Sequence, residues 1–303
     1  MSNHGAWVHP SIKALLLFGF AVYIAYLVKS DRILYYISPR MVLYVKLSAL
    51  GLYAAGAYQL YTAVSAFSGK RQSCDCGHDH SHSGPIWKST LVYGLFACPL
   101  LLGFLMPDTS LGSALAAKKG MNLNSAAAVK TSSPLSGPSS SPPSPTFAAA
   151  ASDARLELLF PSDAYTEAFA KHARKLYKQD VVAVPEELYI ETLTTLDLYA
   201  RQFTGKKVKL SGFVYRDETM NARQFVIGRF SVQCCSADAA PFGVLVESDR
   251  AGLYAGDQWV EITGTIGTTK FDGSEIMVVK AEQIVKIQPP KEQYVYPNYD
   301  FGA

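Results

Sequence analysis

Two short segments concentrate the side chains that bind metal ions. The first is Cys-Asp-Cys-Gly-His-Asp-His-Ser-His over residues 74–82. Thiolate and imidazole are the preferred ligands of zinc and its neighbours, and five of them so close together can close a tetrahedral site. We expect a divalent metal site here, with a solvated polar loop as the alternative. The predicted ligands are Cys74, Cys76, His78, His80 and His82.

The second segment is Cys-Cys-Ser-Ala-Asp-Ala over residues 234–239. Adjacent side chains of a regular strand point to opposite faces, so two cysteines that act together need a bulge or a turn here. Cys234 and Cys235 could bind a soft cation together with Asp238. Alternatively the pair cycles to a strained vicinal disulfide as a redox switch, or one cysteine packs as a small hydrophobe and the other is incidental. Arg229 could lower a thiol pKa or pair with Asp238.

Other reactive residues and motifs do not indicate catalysis. Cys98 lies in an apolar run beside Pro99 and is interpreted as lipid-facing or packed, and His172 is expected to be solvated on a helix. The sequence has no phosphate-binding glycine loop, no His-Glu-x-x-His and no nucleophile elbow. We therefore predict a protein that is not an enzyme.

Composition divides the chain into two unlike halves. Hydrophobic residues make up 49% and charged residues only 17%, against about 25% charged in ordinary soluble domains. Residues 1–150 hold 11 Lys and Arg against 4 Asp and Glu, whereas 151–303 hold 17 against 21. The acidic second half argues against nucleic acid as a partner. Five cysteines, unevenly spaced, exclude a disulfide scaffold.

Three apolar runs at 8–28, 47–68 and 89–106 each reach the length of about 20 residues that a bilayer requires. They predict three retained transmembrane helices within residues 1–110, and hence a multi-pass protein of the cell membrane. A cleaved signal peptide is the alternative for the first run, but it lacks a basic start. The side of the membrane that holds the C-terminal half stays open, because Lys and Arg counts and the linker composition favour opposite answers. In the second run Gly51 and Ala55 form a small-xxx-small pair that favours helix docking.

Residues 111–152 are predicted to be a disordered linker, since 12 of the 20 residues in 131–150 are Ser or Pro and cannot bury a core. The soluble domain, 153–303, is predicted to be α+β. A helix near 162–178, a possible strand at 188–193 and a helix at 195–203 precede five alternating strands. These strands lie at 208–214, 225–232, 242–246, 259–266 and 276–287.

Five strands within about 206–288, with a longer connection before the fourth, favour a small OB-like β-barrel. A five-stranded sandwich or an SH3-like barrel would leave the same pattern. Alternate members of an aromatic set on the strands are assigned to the core rather than to a base-stacking surface, because no basic stripe accompanies the set. The set comprises Phe213, Tyr215, Phe225 and Phe230.

Several motifs together resemble the YcgQ-type family of bacterial membrane proteins. They are Ile-Ser-Pro-Arg-Met at 37–41 after the first run, Gly-Phe-Val-Tyr-Arg at 212–216 and Cys-Cys-Ser-Ala-Asp-Ala at 234–239. The resemblance implies an accessory subunit that works with a separate multi-span permease. We therefore expect a non-enzymatic, membrane-anchored subunit that binds zinc or a similar divalent metal, with the lipid bilayer and a permease as partners. The alternatives are a membrane-tethered thiol redox protein that uses Cys234 and Cys235, and an OB-type ligand-binding module.

Overall fold

A computed structural model describes residues 7–68, 86–125 and 153–302. The chain divides into two compact units, Met1–Thr109 and Ser110–Ala303. The predicted His- and Cys-rich loop at 74–82 and most of the predicted linker lie outside the described residues.

Among its described residues, the first unit has three long α-helices: α1 (Val8–Lys29), α2 (Val42–Phe67) and α3 (Ile86–Leu105). All three are long and apolar enough to cross a membrane. α2 begins five residues before the predicted run at 47–68, because the apolar residues at its start continue the helix through the single charge of Lys46. The unit is therefore built for association with a membrane.

Small residues let these helices approach one another. A Cβ on Gly56 of α2 would lie 3.3 Å from the ring of Phe18, and one on Gly19 of α1 would lie 2.5 Å from Leu100 of α3. Gly51 has no such neighbour within 4 Å. Of the two glycines in α2, Gly56 thus serves packing within the described helices, and the Gly51 face is open.

The second unit begins with α4 (Ser113–Lys119), followed by α5 (Asp153–Leu159) and α6 (Glu167–Tyr177). The strand predicted at 188–193 is wrong: α7 (Tyr189–Leu198) and the short α8 (Ala200–Phe203) occupy this region. The buried side chains of Tyr189, Leu193 and Leu196 recur at the helical spacing of four and three residues, and the helix buries this face against the domain core.

The linker predicted from residue 111 begins too early. Residues 113–119 form α4, and Ala116 is completely buried. Asn122 donates its N–H to Pro241 O and accepts from Gly243 N–H, at 3.0 and 3.2 Å. The apolar side chains of this segment were too few to predict a helix alone, but they complete a core that the domain supplies. Leu111, Leu115, Met121 and Leu123 pack against it.

Seven strands form one mixed sheet in the second unit. The five predicted strands are present as β2 to β6, and the sequence missed two short strands, β1 (Val181–Ala183) and β7 (Tyr294–Val295). The order is β1-β2-β5-β6-β4-β3-β7, and β2 also pairs with β3. The central strands are β2 (Lys207–Tyr215), β3 (Gln224–Ser231), β4 (Ala240–Glu247), β5 (Trp259–Phe271) and β6 (Ser274–Lys286).

Alternate residues of these strands enter two separate buried clusters, as a period of two requires. In β3, Phe225 and Ile227 belong to the cluster that includes α6 and α7, whereas Val226 and Phe230 belong to the cluster that includes Ala116 of α4. All four strand aromatics are at most 4% exposed, so the core role expected for alternate ones extends to the whole set. The strands are covered on both faces, which fixes the ends of β3 and β4 where the cysteine pair lies.

A candidate metal site at the turn between β3 and β4

The turn that joins β3 to β4 holds Cys234, Cys235 and Asp238. The two strands pair up to Ser231 and Ala240, so residues 232–239 must reverse the chain. The Asp238 carboxylate organises this reversal, because it accepts the N–H groups of Gln233 at 2.8 Å, Cys234 at 2.8 Å and Cys235 at 3.1 Å. Asp238 N–H donates back to Cys235 O at 3.0 Å.

This turn brings the side chains of adjacent cysteines together, as the sequence analysis required. The two Sγ atoms are 3.7 Å apart, and both lie within 4.8 Å of a carboxylate oxygen of Asp238. Zinc–sulfur bonds of about 2.3 Å in a tetrahedron place two sulfurs about 3.8 Å apart. The spacing of the two thiols therefore matches one edge of a tetrahedral zinc site.

The protonation of Cys234 and Asp238 bears on metal binding. Hydrogen bonding to Asp238, followed by hydrogen bonding to Cys235, raises the pKa of the Cys234 thiol to about 11. Desolvation acts to raise the pKa of Asp238, but hydrogen bonds from the Cys234 thiol and from three backbone N–H groups prevail and lower it to about 2. At neutral pH the metal-free site thus holds a carboxylate and a protonated Cys234 thiol, and a metal must displace that proton.

The site is open to solvent. Cys234 and Asp238 are exposed and Cys235 is half-buried. Three protein ligands on one exposed turn leave a coordination position for water or for a ligand from another molecule. Such a geometry is more typical of an exchangeable metal site than of a structural metal site.

Lys119, which the sequence analysis did not assign to the site, supports the turn from α4. Its Nζ donates to the carbonyl oxygens of Ala237 and Ala239, at 3.1 and 2.6 Å. These two carbonyls flank Asp238. The contact spans 118 and 120 residues of sequence, so no local spacing could have indicated it.

Arg229 does not serve the cysteines, and both roles suggested for it by the sequence analysis are wrong. Its side chain is 1% exposed and pairs with Glu186 Oε1 at 2.7 Å rather than with Asp238. It also donates to Ser211 O and Ser211 Oγ at 3.2 and 2.9 Å. The alternation of β3 turns Arg229 into the domain, away from the turn that follows.

Cys98 and His172, the other two residues that the sequence analysis considered, differ in their exposure to solvent. Cys98 is exposed on α3, as a lipid-facing cysteine would be. His172 is not simply solvated: its Nε2 lies 3.0 Å from Thr192 Oγ1 and its ring packs edge-on against Phe301. Burial, followed by the nearby charge of Lys175, lowers the pKa of His172. The segment after β7 returns to α6 and covers this histidine.

Comparison with known proteins places both halves of the chain in one family. The DUF1980 N-terminal domain matches residues 12–122, and the DUF1980 C-terminal domain matches residues 159–297. The chain belongs to this family, in agreement with the YcgQ-type resemblance. The N-terminal match extends through α4 to Asn122, although α4 folds with the second unit.

Two relatives illustrate the family. The chain is 25% identical over 303 residues to "UPF0703 protein YcgQ" of Bacillus subtilis, with 95% of this chain and 99% of that protein covered. It is 24% identical over 204 residues to a Streptococcus mutans protein, with 67% of this chain and 72% of that protein covered. The latter is named "Putative two-component membrane permease complex subunit".

Proposed function

We propose that this protein is a non-enzymatic accessory subunit of a membrane permease complex, anchored by three membrane-spanning helices. The name of the Streptococcus mutans relative supports a permease partner, and the three apolar helices support a multi-pass anchor. No Asp or Glu lies within α1, α2 or α3. Because acidic groups commonly mark ion pathways inside membranes, transport is assigned to the partner. The open Gly51 face of α2 is a surface on which a partner helix can pack closely.

We propose further that β2 to β6 close into an OB-like barrel. The pairings run β2–β5, β5–β6, β6–β4 and β4–β3, and the additional β2–β3 pairing returns to the first strand. β4 and β6 pair in parallel and the other four pairings are antiparallel. A Cβ on Gly212 of β2 would lie 2.5 Å from Gly228 O of β3, so glycine permits the approach that closure needs.

The barrel carries the metal site in this proposal. Cys234, Cys235 and Asp238 bind a divalent transition metal, for which we propose zinc. The observation that carries the assignment is the 3.7 Å separation of the two sulfurs beside a carboxylate. The loop at 74–82 provides a second set of ligands, Cys74, Cys76, His78, His80 and His82. It is proposed on ligand chemistry alone.

Metal analysis of the full chain tests the assignment. The protein is purified in detergent without added chelator, and zinc per chain is measured for wild type and for Cys234→Ser/Cys235→Ser. The double variant should lose about one zinc per chain. Cys98→Ser is the matched control, because it removes an exposed thiol from α3 and should leave the zinc content unchanged.

Two results would overturn the metal assignment. One is a zinc content that the double variant leaves unchanged. The other is alkylation mass spectrometry on cells that finds Cys234 and Cys235 joined as a disulfide, which would favour the redox function instead. Replacing the five ligands of the loop at 74–82 by alanine tests that loop separately.

Co-purification tests the proposed partnership. A tagged chain extracted from native membranes in mild detergent should bring down a multi-span membrane protein. Substitution of Gly51 by leucine should weaken that association, because a bulky side chain separates two closely packed helices. Recovery of the chain alone, at every detergent tested, contradicts the proposal.

A further inference from the structure

The segment that follows α3 in the sequence packs on the domain, and its last helical residue reaches the cysteine turn. Seven residues separate α3 from α4. At the start of α4, the Ser113 hydroxyl donates to Asp257 at 2.7 Å. In its middle, Ala116 is wholly buried. Past its end, Asn122 exchanges two hydrogen bonds with the chain at the start of β4.

Lys119 connects this docked helix to the candidate metal ligands. It is the last residue of α4, and its ammonium group binds the carbonyls on both sides of Asp238, those of Ala237 and Ala239. Hydrogen bonds from an ammonium group are roughly twice as strong as those between neutral groups. Lys119 therefore restrains the two peptide units that set the direction of the Asp238 side chain.

The direction of Asp238 in turn sets the geometry of the thiols. Its carboxylate holds the N–H groups of Cys234 and Cys235, so a shift of Asp238 moves the backbone that carries both sulfurs. Residues that orient metal ligands without touching the metal commonly change the affinity about 10- to 100-fold when they are replaced.

We propose that Lys119 is a positioning residue for the metal site, and that metal occupancy and the docking of α4 are coupled through it. This inference rests on the proposed metal-binding function of Cys234, Cys235 and Asp238. Coupling between two equilibria is reciprocal. A bound metal favours docked α4, and release of α4 weakens metal binding. The segment that responds to the metal is thus the one covalently continuous with α3.

A zinc titration of the full chain in detergent tests the positioning role. Zinc affinity is measured by competition with a chromophoric chelator for wild type, Lys119→Met, Lys119→Arg and Lys118→Met. Lys119→Met should bind zinc about tenfold more weakly, by analogy with other supporting residues of metal sites. Lys119→Arg should retain most of the affinity, since a guanidinium group also donates to two carbonyls. Lys118→Met removes a neighbouring exposed charge and should bind as wild type does.

Hydrogen exchange tests the coupling itself. Zinc should slow amide exchange across 113–122 in wild type and leave it unchanged in Cys234→Ser/Cys235→Ser. Ser113→Ala loosens α4 at the end far from the turn, so it should also weaken zinc binding, by a smaller factor of about two to five if the two equilibria are linked. This variant keeps the proposal testable if Lys119→Met does not fold.

The possible failures are distinct. Suppose that Lys119→Met and Ser113→Ala bind zinc as tightly as wild type does, and that zinc does not change amide exchange across 113–122. The proposed coupling is then wrong, and the metal site stands. If wild type binds no zinc at the cysteine turn, the proposed function fails, and this inference fails with it.

Discussion

Arg229 in β3 and Asp238 in the turn after it are charged residues nine positions apart that lie in opposite environments. Arg229 is buried, with Glu186 and Ser211 as hydrogen-bond partners and with the rings of Tyr189 and Trp259 at 5.5 and 5.1 Å. Asp238 is exposed and holds backbone N–H groups beside two thiols. A buried charge with satisfied partners supports the fold, whereas an exposed charge beside two thiols is available for chemistry. The environment of each charge, rather than its residue type, therefore determines whether it stabilises the fold or is available for function.

The largest expected effect comes from removing the buried charge. Arg229→Met should lower the free energy of unfolding by about 2 kcal/mol, because the partly buried Ser211 oxygens lose a charged donor and Glu186 loses its countercharge. Denaturant unfolding of the full chain in detergent, followed by circular dichroism, measures it. Glu186→Gln keeps an oxygen acceptor at a half-exposed position and should cost less, about 1 kcal/mol.

The zinc content of Arg229→Met tests whether the buried arginine and the cysteine turn are independent. Arg229→Met should bind as much zinc as wild type at a temperature where it is folded, since no hydrogen bond links Arg229 to the cysteine turn among those of the described residues. A loss of zinc in folded Arg229→Met would show that the two regions are not independent.

The pH dependence of zinc binding comes next in size. The pKa of Cys234 is raised to about 11 in the metal-free site, so binding must release its proton throughout the neutral range. The zinc affinity should therefore rise at least about tenfold per pH unit between pH 6 and 8. An affinity independent of pH, measured by competition titration, would contradict thiolate ligation.

The smallest expected effect is local and occurs in acid. The pKa of Asp238 is lowered from 3.8 to about 2, so its stabilisation of the turn is complete above pH 4 and is lost as the pH falls through about 2. Chemical shifts of the Gln233, Cys234 and Cys235 amides should move in that window. In Asp238→Asn, which keeps one acceptor oxygen but does not titrate, these shifts should stay constant over the same range.

Local pattern predicted most of the secondary structure and failed where long-range packing decides. β2 to β6 were predicted because apolar side chains recur at every second residue along them, which is the period of a β-strand. The region at 188–193 was misassigned, since a short apolar run fits a strand or a buried helix equally well. α4 was missed because its seven residues contain few large apolar side chains. Helices this short depend on tertiary contacts.

Sequence pattern alone was enough to predict that one half of the chain is apolar enough for a membrane, that five strands follow, and that Cys234 and Cys235 need a turn to act together. These properties depend on residues that are close in sequence: the length of an apolar run, the alternation of side chains along a strand, and the residues of a turn. The pairing of Arg229 with Glu186, and of Lys119 with the carbonyls beside Asp238, depends on the tertiary fold. Those partners lie 43 and up to 120 residues away, and only the folded sheet and the docked α4 bring them within hydrogen-bond distance.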